Sequence, residues 1–213
     1  LSPERPVTRG TAENPETFFT HREACNSYYD AIPDVVEHYC AEISKICGRE
    51  YHCFNYYGAE DAENIIILMG SATEAAREAI DHLVAEGKKV GMVAVHLYRP
   101  FSLKHLFAAV PQTVKKIAVL DRTKEPGAEG EPLYLDVKSA YYDQPNRPII
   151  VGGRYGLGSS DITPAKIIAV YNNLELPEPK NHFTVGIVDD VTNLSLPMIE
   201  EMALGGKSIQ ECK

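Results

Sequence analysis

The chain has 213 residues, of which 44 % are hydrophobic, so it can bury the core of one α/β domain. Its 30 acidic and 21 basic side chains give a net charge of −9, which argues against a nucleic-acid-binding surface. No apolar run approaches the ~20 residues that cross a bilayer, so we expect no transmembrane helix and no membrane partner.

Residues 1–33 are rich in Pro, Thr, Asn and Glu, and this composition predicts an extended arm or linker. The next stretch, 34–47, places apolar residues at helical spacing and is followed by Gly48, a common helix stop. We therefore expect the packed part of the chain to begin with a helix near Asp34.

From residue 64 onward, short apolar runs alternate with amphipathic stretches. The apolar runs predict buried strands at 65–69, 90–95, 117–120 and 149–151, with a fifth possible strand within 181–190. The stretches between them predict helices at 71–87, 102–109, 133–143 and 163–174. Repeated strand–helix–strand units are typical of an α/β fold with an open, mostly parallel sheet and helices on both faces.

This pattern divides the chain into three parts. We expect an arm at 1–33, an α/β domain at 34–152, and a connecting segment at 153–213. After Asp190 the periodicity weakens, and we interpret this stretch as the truncated start of a following domain. The alternative is a short terminal helix that packs on the sheet.

The glycine-rich stretch 152–160 is the strongest candidate binding site. Glycines let a backbone approach a pyrophosphate, the Ser159 and Ser160 hydroxyls can donate to its oxygens, and Arg154 supplies a fork of donors. The predicted helix after it would add the positive end of its dipole, whereas Asp161 places a negative charge beside the anion. The alternative, that this stretch is only a mobile connector, stays open.

Other motifs point to binding more than to catalysis. The charged stretch 122–131 follows a predicted strand, at the sheet edge where ligands or neighbouring domains usually sit, and we favour contact with another domain. The seven histidines are scattered, and no CxxC, HExxH, GxSxG or GxxxxGK[ST] pattern occurs. The five cysteines are odd in number, which favours reduced thiols and a cytoplasmic location. We therefore expect no metal site and no catalytic residues.

Three long strings carry a resemblance to a known family: IAVLDRTKEPGAEGEPLYLDVKSA, VGGRYGLGSSDITPAKIIAVYNNL and KNHFTVGIVDDVTNLSLP. They resemble the middle of pyruvate:ferredoxin oxidoreductases (pyruvate synthases, including the flavodoxin-dependent enzymes). The stretches at 1–19 and 28–39 resemble the linker after the first domain of those enzymes. Residues 50–150, roughly, look like a domain similar to the C-terminal domain of transketolase.

The resemblance implies a place in a large enzyme of anaerobic metabolism. Members of the family cleave pyruvate with coenzyme A and pass electrons to ferredoxin or flavodoxin, using thiamine diphosphate, Mg²⁺ and [4Fe–4S] clusters. By this resemblance the chain is a non-catalytic structural domain of an enzyme that forms a homodimer. The isolated chain would then be inactive and would bind none of these cofactors alone.

The resemblance also implies that part of the coenzyme A site lies in this chain. The family's site is similar to a loop here, whose residues are Tyr155, Gly156, Leu157, Gly158, Ser159 and Ser160. Lys180 is a further basic candidate, and Arg154 is added for its chemistry. Ser160 stands where relatives commonly carry Lys, and the missing charge would weaken the capture of phosphates.

Two other interpretations stay open. The first is the same fragment of another 2-oxoacid oxidoreductase, because the residues that select the substrate would lie elsewhere. The second is an independent flavodoxin-like module that binds a nucleotide or an acyl-CoA. A natural gene product several times larger than this chain would favour a domain of an enzyme over the independent module.

Overall fold

A computed structural model describes residues 2–6, 10 and 12–197 of the chain. The helices are α1 (Pro15–Ala24), α2 (Asn26–Cys47), α3 (Ala72–Ala85), α4 (Leu103–Ala109), α5 (Pro132–Ala140) and α6 (Pro164–Glu175). The strands are β1 (Phe54–Gly58), β2 (Asn64–Met69), β3 (Val90–Val95), β4 (Lys116–Asp121), β5 (Ile149–Arg154) and β6 (Phe183–Thr184). A 3₁₀ turn spans Leu157–Ser159.

The six strands form one sheet in the order β1-β3-β2-β4-β5-β6. Neighbours from β3 through β6 pair in parallel, and β1 pairs antiparallel with β3 along the edge. The four predicted strands are confirmed, and the fifth is the two-residue β6. The prediction missed β1, because its stretch is half-buried and lacks the continuous apolar run of a central strand.

Helices cover both faces of the sheet, as predicted. Because successive side chains of a strand point to opposite faces, Ile66 and Leu68 pack with α3 and α6, whereas Ile65 and Ile67 pack with α4 and α5. The middle positions of the central strands are therefore apolar on both faces of the sheet, and they form continuous apolar runs in the sequence. The predicted fold class, an open, mostly parallel α/β sheet, is confirmed.

The amino-terminal arm differs from the prediction. Residues 15–24 and 26–47 are helical, so the extended conformation predicted for this part of the arm is wrong, and α2 begins eight residues before the predicted start. Pro33 lies inside α2 and is its only fully buried residue. Propensity reasoning missed the helix because the prolines and asparagine dominated the composition, although Pro15 in fact occupies the first turn of α1, where it is tolerated.

The predicted boundary at residue 152 falls within β5, which continues to Arg154. After it, α6 packs against α3, and β6 extends the same sheet beside β5. Phe183 and Leu196 belong to the same core as the central strands, so residues up to 197 are part of this fold. The rest of the predicted start of a following domain, residues 198–213, lies outside the described residues. The division into domains therefore stays a prediction.

The pair of glycines in β5 lets two aromatic rings lie directly on the strand. A Cβ added at Gly153 would overlap the buried ring of Phe183, and one added at Gly152 would meet the ring of Tyr134. We expect Gly153→Ala to lower the free energy of unfolding by about 1–3 kcal/mol, because the core must shift to admit a methyl group. Urea unfolding measures this loss. The control Gly10→Ala meets no atom within 4 Å and should be neutral, and equal stabilities would contradict the packing described here.

Candidate functional site

A cavity of about 730 Å³ opens at the carboxyl ends of β4, β5 and β6, within the size range of small-molecule sites. Three segments form its walls: the loop after β4, the turn after β5, and the stretch around and after β6. Its lining includes Lys124, Ala128, Glu129, Arg154, Tyr155, Gly156, Leu157, Ser160, His182, Thr184, Val185, Gly186, Ile187, Asp189, Asp190, Val191, Thr192 and Leu194. This is the sheet edge at which open α/β folds place their ligands.

A buried ion pair lies at the base of the cavity. The Arg154 guanidinium donates to Oε1 of Glu131 at 3.3 Å and to the His182 carbonyl at 2.9 Å. Lys124 adds a second, looser contact, with its Nζ 3.7 Å from the same Glu131 oxygen. Glu131 is 1 % exposed and Arg154 is 8 % exposed, so water solvates neither charge and each depends on the other for compensation. Arg154 and Lys124 thus carry the positive charge that the cavity presents.

Asp121 links this charge cluster to α5. It ends β4, and its two carboxylate oxygens accept from the backbone N–H groups of Leu133 and Tyr134, each at 3.1 Å. Those groups have no partner within the helix, so the carboxylate caps the first turn of α5. Burial raises the pKa of Asp121, and the N–H donors oppose that shift. The cap fixes the start of α5 and therefore the position of the neighbouring Glu131.

The turn after β5 is held by Arg122. Its Nε donates to the Gly156 carbonyl at 2.9 Å, and Gly156 has φ of +65°, a conformation that favours glycine. Gly158 and Ser159 follow with φ of +64° each and are exposed. The turn thus has a fixed end at Gly156 and an exposed tip at Gly158 and Ser159.

Comparison with known proteins identifies the family. The family described as "Pyruvate:ferredoxin oxidoreductase core domain II" matches residues 62–167, from the loop before β2 into α6. The chain is 59 % identical over 198 residues to a pyruvate-flavodoxin oxidoreductase of Enterobacter agglomerans, and 48 % identical over 213 residues to a pyruvate:ferredoxin oxidoreductase of Moorella thermoacetica. The chain belongs to the pyruvate:ferredoxin oxidoreductase family. The resemblance seen in the three strings is confirmed.

The chain spans only a small part of its relatives in this family. The two matches cover 93 % and 100 % of the chain, but 17 % and 18 % of the curated relatives' length. A solved 2-oxoglutarate:ferredoxin oxidoreductase from Magnetococcus marinus, described with 2-oxoglutarate, coenzyme A and succinyl-CoA bound, has the same fold over 76 % of the chain. The TM-score is 0.50, the sequence identity is 22 %, and the match covers 24 % of that chain.

The structure brings together five of the eight site residues that the sequence singled out. Arg154, Tyr155, Gly156, Leu157 and Ser160 line the cavity, whereas Gly158, Ser159 and Lys180 are not among its lining residues. Lys180 is exposed, and its Nζ donates to the Asn193 carbonyl at 3.1 Å. A role of these residues in binding coenzyme A stays a prediction.

The opposite wall was missed by sequence reasoning. Thr184 and Gly186 line the cavity, and the Thr184 hydroxyl has no hydrogen-bond partner. Asp190 lies in a turn at the end of this wall, where its carboxylate accepts from the Thr192 hydroxyl and the Ser195 N–H. These hydrogen bonds lower the pKa of Asp190, and the bond from Thr192 is the largest cause. The only sequence signal for this wall was the weak fifth strand, because side chains of a two-residue strand form no readable pattern.

The charge of the lining is mixed. Lys124 and Arg154 are opposed by three carboxylates, those of Glu129, Asp189 and Asp190. Thr163 does cap α6, since its hydroxyl oxygen accepts from the Lys166 N–H, but the lining after β5 stops at Ser160. The positive end of α6 therefore contributes less to this cavity than the sequence suggested. An anionic group in this cavity would have to bind beside Arg154 and Lys124, because the other charged side chains of the lining are acidic.

Two further observations concern the part of the chain that the structure describes. Within residues 2–6, 10 and 12–197, no cluster of three or more His, Cys, Asp or Glu side chains is arranged to hold a metal ion. In the same residues, no helix combines the length and the hydrophobicity needed to span a bilayer. Cys25, Cys40, Cys47 and Cys53 are free thiols.

Proposed function

We propose that the chain is a non-catalytic structural domain of a pyruvate:ferredoxin or pyruvate:flavodoxin oxidoreductase, and that its cavity forms part of the coenzyme A site. The parent enzyme would convert pyruvate and coenzyme A to acetyl-CoA and CO₂ and pass two electrons to its acceptor. The observation that carries the proposal is the cavity at the sheet edge, where Lys124 and Arg154 supply the positive charges of the lining.

The cavity fits a part of coenzyme A better than the whole. Lys124 and Arg154 would hold one of its anionic phosphates by charge-assisted hydrogen bonds. Leu157 and Val185 would pack against an apolar portion of the molecule. Because Glu129 and Asp189 would repel further phosphates, the rest of the site would come from other domains of the polypeptide. Coenzyme A would supply the thiol that accepts the acyl group.

The remaining cofactors of the parent enzyme would be held elsewhere. The described residues contain no cluster suited to a metal ion, and they offer no cysteine group for an iron–sulfur cluster. Thiamine diphosphate, Mg²⁺ and [4Fe–4S] clusters would therefore depend on other parts of a cytoplasmic homodimer, with ferredoxin or flavodoxin as its redox partner. The two relatives that are 48 % and 59 % identical to the chain are both named as pyruvate enzymes, and this favours pyruvate as the substrate of the parent enzyme.

The proposal is tested by Lys124→Met in the full-length enzyme. We expect the coenzyme A concentration for half-maximal rate to rise about tenfold or more, since a charge-assisted hydrogen bond contributes roughly 1.5–3 kcal/mol and each 1.4 kcal/mol is a factor of ten. The pyruvate requirement should not change. Steady-state rates at saturating pyruvate measure the effect.

Lys88→Met is the matched control, because the two lysine side chains are 45 % and 44 % exposed and each contacts a glutamate. Lys88 lies between α3 and β3, away from the cavity. An unchanged coenzyme A requirement in a folded Lys124→Met enzyme would show that the cavity is no part of the site. A rise in the pyruvate requirement alone would assign the cavity to a different ligand.

A further inference from the structure

An apolar stripe runs along the solvent-exposed side of α2. Its members are Tyr28, Val35, Tyr39 and Ile46, each between 52 % and 83 % exposed. Because their separations of seven, four and seven residues are close to whole numbers of helical turns, the four side chains lie in one line. A line of large apolar side chains over nineteen residues is unusual on a surface in contact with water.

The stripe is not the side of α2 that packs on this domain. The helix docks through Val36, which packs against the core on the α4 and α5 face of the sheet. It also docks through the buried Pro33, whose carbonyl accepts from the Cys53 thiol at 3.6 Å. Glu37 fastens the same side, because it accepts from the Cys53 N–H at 2.7 Å and from the His52 ring at 2.9 Å. The helix therefore carries two apolar sides, and the domain covers only one of them.

Helix α1 also lacks support from this domain. It has ten residues, none of them buried, and it exposes Phe18 and Phe19. Isolated helices shorter than about 12–15 residues are marginal in water, so α1 needs a packing partner to persist. Its exposed aromatic side chains come shortly before the stripe on α2 along the chain.

We propose that α1 and the stripe on α2 dock onto another domain of the same polypeptide. The surface of that other domain would be apolar and flanked by basic residues. The relatives are more than five times longer than the chain, and they match it over 93–100 % of its length. A large body of additional protein is therefore present in the family. A contact between copies of the chain is the competing occupant, and the test separates the two.

The charge of the two helices specifies the partner. Residues 15–47 contain six acidic and two basic side chains. Two of the acids are used within this domain, since Asp34 contacts Lys104 and Glu37 contacts His52. Glu42 is paired with Lys45 on the same helix. Three acids then remain against the single base Arg22, so the two helices keep a net negative charge. A partner with Lys or Arg beside an apolar patch complements both properties. The proposal does not depend on the coenzyme A site.

Hydrogen exchange in the full-length protein tests the proposal. We expect the amides of α1 to exchange at least 100-fold more slowly than unstructured amides, since an uncovered ten-residue helix opens too readily to protect them. In the variant Tyr39→Glu/Ile46→Glu, the amides of residues 15–47 should exchange at least tenfold faster than in the wild type. Ala41→Glu, which introduces the same side chain at an exposed position of α2 outside the stripe, should leave the exchange unchanged.

The molecular mass by light scattering identifies the occupant. The proposal requires that the mass stays the same while the exchange accelerates. A halved mass in the double variant would overturn it in favour of contact between two copies. Unprotected α1 amides in the wild type, or unchanged exchange in the double variant, would also overturn it. Should the double variant fail to fold, the exchange of Ile46→Ala is compared with that of the wild type instead. Faster exchange of residues 15–47 in Ile46→Ala, together with protected α1 amides in the wild type, would then support the proposal.

Discussion

Replacement of Val93 by Asp is expected to abolish cooperative folding of the chain. Val93 lies in the middle of β3, is fully shielded from water, and pairs with Ile67 on one side and Tyr56 on the other. The side chain would enter the buried hydrophobic cluster on the α4 and α5 face of the sheet, where an unpaired carboxylate is costly. The penalty is several kcal/mol, against a total stability of roughly 5–15 kcal/mol for a domain.

Thermal unfolding followed by circular dichroism measures this effect. The wild type should melt in a single transition, and Val93→Asp should show none. Val188→Asp is the matched control, because it makes the same substitution at an exposed position outside any helix or strand, where the change should lie within about 0.5 kcal/mol. A cooperatively melting Val93→Asp protein with near-normal stability would contradict the placement of β3 at the centre of the core.

Removal of the Arg154 charge is expected to have the second largest effect. Arg154→Met would leave Glu131 as a buried carboxylate with only the distant Lys124 nearby, and it would remove the donor to the His182 carbonyl. Breaking a buried ion pair from one side costs roughly 3–5 kcal/mol, since the remaining charge stays out of water. Urea unfolding of the single variant measures the loss.

A double variant distinguishes the effect of the ion pair on stability from the effect of the packing around it. Glu131→Gln combined with Arg154→Met removes both charges, and it should recover at least half of the lost stability. Lys88→Met, which breaks the exposed pair with Glu175, should cost no more than about 1 kcal/mol. A double variant as unstable as Arg154→Met alone would show that the ion pair is not the source of the effect.

The central sheet was predictable from the sequence because its strands are covered on both faces. Ile65 and Ile66 enter different clusters, yet both are fully buried, so the run reads as continuously apolar. The edge strand β1 was not predictable in the same way. Tyr56 and Tyr57 are only half-buried, and their stretch resembles a loop until its partner β3 is known.

The helical arm was missed for a related reason. Local composition decides little when a helix is stabilised by tertiary contacts, and α2 depends on Pro33, Val36 and Glu37 meeting the body of the domain. Proline at 33 argued against a helix in the sequence. In the structure it is the most buried residue of α2, so the packing outweighs the lost backbone hydrogen bond.

The candidate site was predictable in its residues but not in its contacts. Arg154 was a clear candidate because it lies beside the glycines. Its partner Glu131 lies 23 residues earlier, and in the sequence it is only one of several acidic residues in a charged loop. The parallel register of β4 and β5 places Arg154 opposite Asp121, and this brings the loop after β4 within reach. Pairing of that kind is a property of the sheet and leaves no mark on the local sequence.

The antiparallel strand β1 has a consequence for the order of folding. It comes before β2 along the chain, yet it pairs with β3, so Phe54 meets Val95 across forty intervening residues. Its docking place does not exist until β2, α3 and β3 have assembled, because β3 supplies every backbone partner of β1. We expect β1, and with it α2, to join the fold late. During synthesis, α2 and β1 would therefore stay exposed to solvent until the residues of β2, α3 and β3, which are made after them, have folded.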